Sequence, residues 1–229
     1  MALIRLENVS KVYNSNGIES PALKTVSLLV EKGEFLSIAG PSGSGKTTLL
    51  NIMGCLDLPS SGTVFLEDKQ VRYKKRKELA ELRRNSIGFV FQTFNLVPVL
   101  TAFENVEFPL LLKTRMKAKE RRQRVEEMLK NVGLEDLMQR KPSEMSGGQQ
   151  QRVAIARALV KQPHIVLADE PTANLDSKTG REILQLMRNL NRKTNAAFIF
   201  STHDQMVMDF AQRLIRLKDG QVQADEKRG

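Results

Sequence analysis

The residues whose types and spacing are best suited to chemistry lie between positions 40 and 47. They read GPSGSGKT and fit the phosphate-binding pattern G-x-x-x-x-G-K-[ST]. The apolar segment 35–39 before them is typical of a buried strand, and the segment 46–53 predicts a helix with Gly54 as its C-cap. A strand, a glycine-rich loop and a helix in this order form the context in which the pattern binds phosphate.

Each part of this phosphate loop (residues 40–47) has a physical reason. Small residues let successive backbone N–H groups turn inward around a polyphosphate, and the helix N-terminus adds partial positive charge there. Lys46 is then expected to reach the β- and γ-phosphates, and the Thr47 hydroxyl is expected to ligate Mg²⁺. The alternative is a glycine-rich turn before an ordinary helix, and the Lys-Thr pair at the required offset favours nucleotide binding over it.

A second group of chemically suited residues follows the apolar segment 165–168, which predicts a buried strand ending in Asp169 and Glu170. Many strands end in acidic turns, so this pair alone is a weak signal. In a protein with a phosphate loop, such a strand lies beside the loop strand and its aspartate holds Mg²⁺, often through water. Glu170 is then placed to orient and deprotonate a water that attacks the γ-phosphate.

A third candidate is the helix start at Ser146-Gly147-Gly148-Gln149. Ser-x-x-Gln is a capping box, which explains these residues by helix structure alone. The functional alternative is a second anion-binding helix N-terminus. The spacing does not choose between the two explanations, and they are compatible.

Composition restricts the class of protein. The chain has 229 residues, 41% of them hydrophobic and 27% charged, which suits one sizeable α/β domain. It contains no apolar run long enough to cross a bilayer, so we expect a soluble, cytosolic protein. The single cysteine, Cys55, is expected to pack as a small apolar side chain, and two distant histidines offer no zinc cluster.

The formal charge of +10 is concentrated in residues 72–77 and 113–124. Solvated helix faces are the simpler explanation for both runs, and an anionic membrane surface is the alternative. Nucleic acid is not an expected partner, because tryptophan is absent and the basic runs lack interleaved aromatic residues.

Hydrophobic periodicity predicts the order of the elements. Strands are expected at 3–13, 22–30, 35–39, 63–66, 87–91, 165–168, 197–200, 214–217 and 221–223. Helices are expected at 46–53, 77–84, 101–112, 119–131, 146–160, 177–190 and 204–212. Thr101 and Glu104 form a capping box for the third helix, Gly133 ends the fourth, and the tail 225–229 is expected to be disordered.

Taken together, these motifs resemble those of ABC-transporter nucleotide-binding domains. The phosphate loop, Gln92, the signature segment (residues 145–149, MSGGQ), the Asp169-Glu170 strand end, the segment 173–176 and His203 occur in that family's order. The resemblance covers essentially the whole chain and is closest to the lipoprotein-releasing and macrolide-exporter branch, through the segments 44–51, 91–98 and 146–159. Met145 replaces the family's usual leucine, and its similar volume should be tolerated.

The resemblance implies a fold and a domain organisation. It implies an α/β P-loop NTPase with a RecA-like core, an antiparallel β subdomain and an α-helical subdomain. Residues 1–229 would form a single nucleotide-binding domain, with the helical subdomain inserted at about residues 93–145.

It also implies roles for individual residues. The catalytic roles fall on Glu170 as base, His203 at the γ-phosphate, Gln92 and Lys46, and Mg²⁺ would be held by Thr47 and Gln92 with support from Asp169. Tyr13 matches the aromatic residue that stacks on adenine. The remaining ATP contacts would come from Gly40, Ser42, Gly43, Ser44, Gly45, Thr48, Ser146, Gly147, Gly148, Gln149 and Asp176. Ser146, Gly148 and Asp176 are expected to act across a head-to-tail homodimer, on ATP held by the other chain.

The function implied is ATP hydrolysis that drives a separate integral-membrane permease, with the subunit peripheral on the cytoplasmic face of the membrane. Phe94, Leu96, Val97 and Leu100 are candidates for the contact with that permease or, alternatively, for internal packing. Two other functions stay open. The chain could serve a non-transport complex such as a cell-division or sensing module, or a soluble nucleic-acid-linked ABC ATPase.

Overall fold

The computed structural model describes residues 2–15, 17–73, 75–112 and 116–228. Within these ranges the chain forms ten strands and seven α-helices, with short 3₁₀ turns at Glu135–Leu137 and Pro142–Glu144. The strands are β1 (Ala2–Ser15), β2 (Ile18–Glu31), β3 (Phe35–Ala39), β4 (Ser61–Leu66), β5 (Lys69–Gln70), β6 (Ile87–Val90), β7 (Ile165–Asp169), β8 (Ala197–Thr202), β9 (Arg213–Lys218) and β10 (Gln221–Lys227). The helices are α1 (Lys46–Met53), α2 (Arg76–Ser86), α3 (Ala102–Leu111), α4 (Ala118–Asn131), α5 (Gly147–Leu159), α6 (Ser177–Thr194) and α7 (Gln205–Phe210).

A six-stranded sheet in the order β10-β9-β3-β8-β7-β6 forms the centre of the molecule. Strands β9, β3, β8, β7 and β6 run parallel, and β10 closes one edge as an antiparallel hairpin with β9. Strands β3 and β8 are buried along their whole length, as expected for short apolar runs covered on both faces.

The two faces of this sheet carry separate hydrophobic clusters because side chains alternate along a strand. Phe35, Phe198 and Phe200 face the cluster that contains α3, α4, α5 and α6. Leu36 and Ile38 face the opposite cluster, which includes α1 and the inner residues of β1, β2 and β4. The second cluster therefore joins the central sheet to an antiparallel sheet of order β2-β1-β4-β5. The α/β class and the antiparallel sheet agree with the sequence prediction.

The parallel arrangement brings the carboxyl ends of three strands to one edge of the sheet. Ala39 of β3 pairs with Thr202 of β8, and Asp169 of β7 pairs with Ser201. The segments that follow these strands are the phosphate loop, Glu170 and His203. Residues far apart in the sequence thus meet at one edge.

The segment between Gln92 and Ser146 is mostly helical. Helix α3 begins with the predicted capping box, in which Thr101 accepts from the Glu104 amide and Glu104 accepts from the Thr101 amide. Val125 and Leu129 of α4 are fully buried in the same cluster as the central sheet. That residues 93–145 form a separate subdomain stays a prediction.

The predicted disorder of the tail is wrong for residues 225–227, which belong to β10. Arg213 on β9 holds Asp225 through two hydrogen bonds of 2.7 Å each, from Nε and Nη2. The same guanidinium contacts Glu34 at 2.9 Å, so it ties the last hairpin to the turn before β3. Hydrogen bonds to Arg213 hold the pKa of Asp225 below its ordinary value, against the effect of burial. The polar sequence of the tail suggested disorder. Its ordering depends on Arg213, a partner that hydrophobic periodicity cannot identify.

None of the helices in the described part of the chain is long and apolar enough to span a membrane. Cys55 is buried, as predicted, and burial raises the pKa of its thiol to about 11.

Candidate functional site

Two glycines of the phosphate loop have backbone angles that favour glycine. Gly43 and Gly45 have φ angles of 79° and 99°, in the left-handed region that glycine enters without penalty. A Cβ atom on Gly45 would lie 2.4 Å from the carbonyl oxygen of Ala22, whereas one on Gly43 would meet no atom within 4 Å. Gly45 is therefore needed for packing, and Gly43 faces open space inside the loop.

Lys46 is a nearly buried cation at the start of α1. Its side chain bends back over the loop, and Nζ donates to the carbonyl oxygens of Gly40 at 2.7 Å and Pro41 at 2.9 Å. Only 8% of the residue is exposed. A cation held between loop carbonyls suits an anionic ligand, because bound phosphate oxygens neutralise its charge.

Thr47 and Asp169 form the second part of the site. The Thr47 hydroxyl donates to Asp169 Oδ1 over 3.2 Å, although the two residues are 122 positions apart. A hydroxyl and a carboxylate in contact are oxygen ligands of the kind Mg²⁺ prefers, so the residues present fit this ion.

Glu170 has a constrained position. Its φ angle is 45°, an unusual left-handed value for a glutamate. Its amide donates to Ser201 O at 2.9 Å, its Oε2 accepts from the Thr202 hydroxyl at 3.1 Å, and its Oε1 lies 2.7 Å from His203 Nδ1. Contacts on both carboxylate oxygens hold a strained residue in one orientation, as is common at functional sites.

These groups surround one cavity of about 560 Å³. The cavity brings together many of the residues that the sequence analysis selected, namely Ser42, Gly43, Gly45, Lys46, Thr47, Thr48, Gln92, Glu170 and His203. Ala22 and Pro41 also line it and were not predicted. The cavity combines a cation, an oxygen pair suited to a metal and an oriented carboxylate. These are the groups that transfer of a phosphoryl group to water requires.

The other predicted residues of this half lie around the cavity. Asp169 does not line the cavity, but it accepts a hydrogen bond from Thr47, which does. A Cβ atom on Gly40 would lie 2.1 Å from Leu217 O, so the loop passes close to β9, and Ser44 is buried beneath it. Tyr13 does not line the cavity, but it lies near the hydroxyl of Thr48, which does.

The signature segment does not line this cavity. Ser146 Oγ accepts from the Gln149 amide at 3.3 Å and Gln149 Oε1 accepts from the Ser146 amide at 2.9 Å, so the capping box is present. Gly148 is packed so closely that a Cβ atom there would lie 2.5 Å from Thr179 Cγ2. Gly147 lies near Leu175 and the ring of Phe94.

Asp176 likewise lies outside the cavity and caps α6. Its Oδ1 accepts from the amides of Lys178 and Thr179 at 3.0 Å each. Hydrogen bonds from Thr179, more than any other contact, keep the pKa of Asp176 below its ordinary value.

Two polar residues from named motif segments, to which the sequence analysis assigned no individual role, hold the loop after Gln92. Asn174 Nδ2 donates to Gln92 O at 2.9 Å, and Arg157 Nη2 donates to Phe94 O at 2.7 Å. The other Arg157 nitrogen, Nη1, donates to Asn95 O. Phe94 and Asn95 have φ angles of 60° and 49°, so the guanidinium stabilises two consecutive left-handed residues. Burial lowers the pKa of Arg157, which makes no carboxylate contact within the described residues. Sequence spacing offered no signal for these contacts.

The strand that ends in Asp169 was expected to lie beside the loop strand, but β8 separates β7 from β3 in the sheet. The parallel sheet, the glycine loop, the helix start and the carboxylate at the end of β7 define the class of P-loop nucleoside triphosphatases.

Comparison with known proteins narrows the class. The profile of the ABC transporter family matches residues 23–173. The ABC transporter ATP-binding protein MJ0796 of Methanocaldococcus jannaschii, described as uncharacterized, is 52% identical over 98% of this chain and 97% of its own length. Its structure as a dimer in a post-hydrolysis state bound to ADP and Pi has a TM-score of 0.90, is 51% identical and covers 99% of both chains.

Two transporter proteins are also similar. The lipoprotein-releasing system ATP-binding protein LolD 1 of Chlorobium chlorochromatii is 45% identical over 98% of this chain and 92% of its own length. The macrolide export ATP-binding/permease protein MacB of Wolinella succinogenes is 46% identical over 96% of this chain, which corresponds to 34% of that longer protein. This chain therefore belongs to the ABC transporter family as an ATP-binding protein, and its enzymatic class is ATP hydrolase.

Proposed function

We propose that this chain hydrolyses Mg-ATP in the cavity around Lys46 and thereby drives a separate membrane permease of the lipoprotein-releasing or macrolide-export type. The observation that carries the proposal is the convergence of Lys46, the Thr47–Asp169 pair and Glu170 on one cavity. Strands separated by more than a hundred residues meet there, so the arrangement is not a local turn.

We assign the following roles. Lys46 and the backbone of residues 43–48 bind the phosphates, and Gly43 leaves the space that they fill. Thr47, Gln92 and Asp169 would hold Mg²⁺, which supplies charge neutralisation at the β- and γ-phosphates. Glu170 orients the attacking water and accepts its proton. His203, 2.7 Å from Glu170, contacts the γ-phosphate.

A head-to-tail homodimer would complete the site, because Ser146, Gly148 and Asp176 lie outside the cavity of their own chain. The dimeric structure of the relative MJ0796 with ADP and Pi supports this assembly. In it we expect the N-terminus of α5 to face the ATP that is bound by the second chain.

Mixed dimers test the assembly. Lys46→Ala damages the phosphate loop, and Ser146→Arg damages the signature segment, so either chain alone should be inactive. In a mixed dimer one of the two shared sites escapes both changes, and ATPase activity should reappear on mixing. Inactivity of every mixture, together with a strictly monomeric Glu170→Gln chain in light scattering at saturating Mg-ATP, would exclude the shared site.

The permease contact is assigned to an apolar surface on the segment after Gln92. Of the four residues expected there, Val97 is exposed, whereas Leu96 packs against the core and Phe94 and Leu100 are partly buried. The other exposed apolar residues in the segment 99–112 are Val99 at 71%, Phe108 at 50%, Leu111 at 52% and Leu112 at 52%. Contiguous exposed apolar patches mark interaction sites, and we propose that these residues form one.

The buried Asn105 shapes the turn that carries Val97 and Val99. Its amide oxygen accepts from the Val97 amide at 2.8 Å, and its Nδ2 donates to the carbonyl oxygens of Val97, Leu100 and Thr101 at 3.0–3.1 Å. The turn is therefore fixed by its own helix before any partner arrives.

Co-purification with a permease of this type tests the contact. The test variant is Val99→Asp. The matched control is Ile18→Asp, because Ile18 is 73% exposed on a hairpin elsewhere. We expect Val99→Asp to lose the permease and the control to retain it. Equal retention by both would place the contact elsewhere, and a permease-like partner that transports nothing would favour the cell-division or sensing alternative.

We also propose that residues 72–77 lie near the anionic cytoplasmic face of the membrane. Arg76 and Lys77 are exposed, while Lys74 lies outside the described residues. The second basic run is less suited, because Arg121, Arg122 and Arg124 contact glutamates at 2.6, 2.7 and 3.2 Å; residues 113–115 of that run are also outside the described ranges.

Flotation with anionic and neutral liposomes tests this location. Near an anionic surface each basic residue contributes about 1 kcal/mol. Wild type should therefore float more with anionic lipid than an Arg76→Gln/Lys77→Gln variant does. Equal behaviour would exclude the membrane role, and tight binding of duplex DNA at physiological salt would favour the nucleic-acid alternative.

A further inference from the structure

The ring of Tyr13 is fixed by an anchor beside the phosphate loop. Its hydroxyl donates to Asp57 Oδ2 at 2.7 Å and lies near the Thr48 hydroxyl on α1. Asp57 follows α1 by a few residues, so the end of β1 is hydrogen-bonded to the segment after the helix that begins at the phosphate loop. The residue remains 41% exposed, which leaves ring surface available to a ligand.

Asp57 is itself held in place. Its Oδ1 accepts from Lys11 Nζ at 2.7 Å and from the Leu58 amide at 2.7 Å. Lys11 is nearly buried, with 8% exposure, and also donates to Leu58 O at 2.8 Å. Burial would raise the pKa of Asp57, but the hydrogen bonds from Lys11, Tyr13 and Leu58 lower it, so the carboxylate stays charged.

Lys11 also contacts the ring directly. Its Nζ lies 4.7 Å from the ring centroid of Tyr13, within the range of a cation–π interaction. The ring is thus fixed at its hydroxyl by Asp57 and at its π system by Lys11. An aromatic ring that is held in one orientation before a ligand arrives binds a stacked base more tightly than a mobile ring, because less freedom is lost on binding.

We propose that Asp57 and Lys11 are positioning residues that hold Tyr13 as a preformed stacking platform for the nucleobase. The inference rests on the proposed ATP site and extends it to residues with no contact to the phosphates. It requires that the anchor strengthen binding of ligands with a base and leave ligands without one unaffected.

Isothermal titration with Mg-ADP and with Mg-pyrophosphate measures this difference on the full chain, because only ADP carries a base. Tyr13→Phe keeps the ring and removes the anchoring hydroxyl, and Asp57→Asn keeps the shape and removes the charge. Each variant should weaken the binding of ADP about two- to tenfold, the range set by one hydrogen bond, and leave the affinity for pyrophosphate unchanged. The double variant should bind ADP no more weakly than either single variant, since both changes break the same contact.

Two matched controls accompany these variants. Tyr73→Phe removes the other tyrosine hydroxyl, which donates to Ile52 O at 3.2 Å, and Asp68→Asn removes an exposed carboxylate from a turn. Neither should change the affinity for ADP. Because Tyr13→Phe removes no charge, it decides the question even if Asp57→Asn fails to fold.

The outcomes separate the inference from the function on which it rests. Loss of ADP affinity in Tyr13→Ala but not in Tyr13→Phe or Asp57→Asn would overturn the anchor and keep the stacking. No loss in Tyr13→Ala would overturn the stacking itself. An equal loss for ADP and pyrophosphate in Asp57→Asn would mean that Asp57 supports the phosphate loop, which also overturns the inference.

Discussion

Helices α1 and α5 both begin at segments that the sequence analysis assigned to nucleotide binding, yet their N-termini differ in how their amides are satisfied. The N-cap of α1 is Gly45 in a left-handed conformation, with no side-chain hydrogen bond to the helix. The N-cap of α5 is Ser146, which forms a complete capping box with Gln149. The first helix start leaves its amides to a ligand, and the second satisfies part of them within the chain.

The difference explains why one half of the predicted site could be recognised as a cavity and the other could not. Around α1, a cation, a strained glutamate and open space at Gly43 converge. Around α5, Gly148 packs closely against Thr179, and Gly147 lies near Leu175. The capping box and the close packing account for the start of α5 within its own chain. A role of this segment in nucleotide binding would therefore be directed at a nucleotide bound by a second chain.

The largest expected effect concerns the α1 half. Glu170→Gln should lower kcat by about 10²–10⁴, because a general base is lost, while ATP binding is retained. Steady-state phosphate release and nucleotide binding measure the two quantities. Glu81→Gln on the exposed face of α2 is the matched control and should behave as wild type. Near-normal turnover by Glu170→Gln would remove the assignment of the base.

Arg157 connects the two halves, since α5 carries it to the loop after Gln92. Arg157→Gln should lower the free energy of unfolding by about 1.5–3 kcal/mol, the cost of losing charged donors to two carbonyls. Hydrogen exchange of amides 93–96 should rise more than exchange elsewhere. Adding Asn95→Gly should restore part of the protection, because glycine adopts the left-handed conformation freely. Arg122→Gln, at a side chain that is 74% exposed, is the control; uniform exchange in Arg157→Gln would contradict the local role.

The packing of Gly148 gives a sharper test of the α5 half. Gly148→Ala should cost about 1–3 kcal/mol of stability, because its Cβ would overlap Thr179 Cγ2. Thr179→Ser removes that methyl group and should restore most of the loss in the double variant. Urea unfolding of the two single variants and the double variant measures the coupling, and strict additivity would contradict the packing argument.

The smallest effect is a pH dependence at the α6 cap. The folded pKa of Asp176 is lowered, so the cap stabilises the protein above the unfolded pKa of about 3.9 and is lost as pH falls through the folded value. Wild type should therefore lose stability relative to Asp176→Asn below about pH 4. Parallel curves for the two proteins from pH 5 to pH 3 would argue against a charged cap.

Local patterns predicted the parts of the molecule in which neighbouring residues carry the information. The strand before the phosphate loop, the loop itself and the two capping boxes are encoded within a few positions. Pairs such as Thr47 with Asp169 could be expected because parallel strands place their carboxyl ends at one edge of a sheet.

Contacts between polar side chains of different elements could not be predicted in this way. The bonds of Asp57 to Lys11, of Asn174 to Gln92 and of Arg213 to Asp225 depend on backbone geometry over many residues. The failed prediction of a disordered tail has this origin, because polar residues in β10 are ordered by a distant arginine. The exposure of a side chain also depends on distant parts of the chain. Only one of the four apolar residues expected at the permease contact is exposed.

The turn fixed by Asn105 has a kinetic consequence. A mobile loop loses about 1–2 kcal/mol of backbone entropy for each residue that it orders on binding, and this turn is already ordered by four hydrogen bonds to one buried side chain. A partner that docks on Val97 and Val99 therefore meets a surface that does not have to reorganise. Encounter should then proceed at the ordinary rate for rigid surfaces, and changes in the patch should alter the lifetime of the complex rather than its rate of formation.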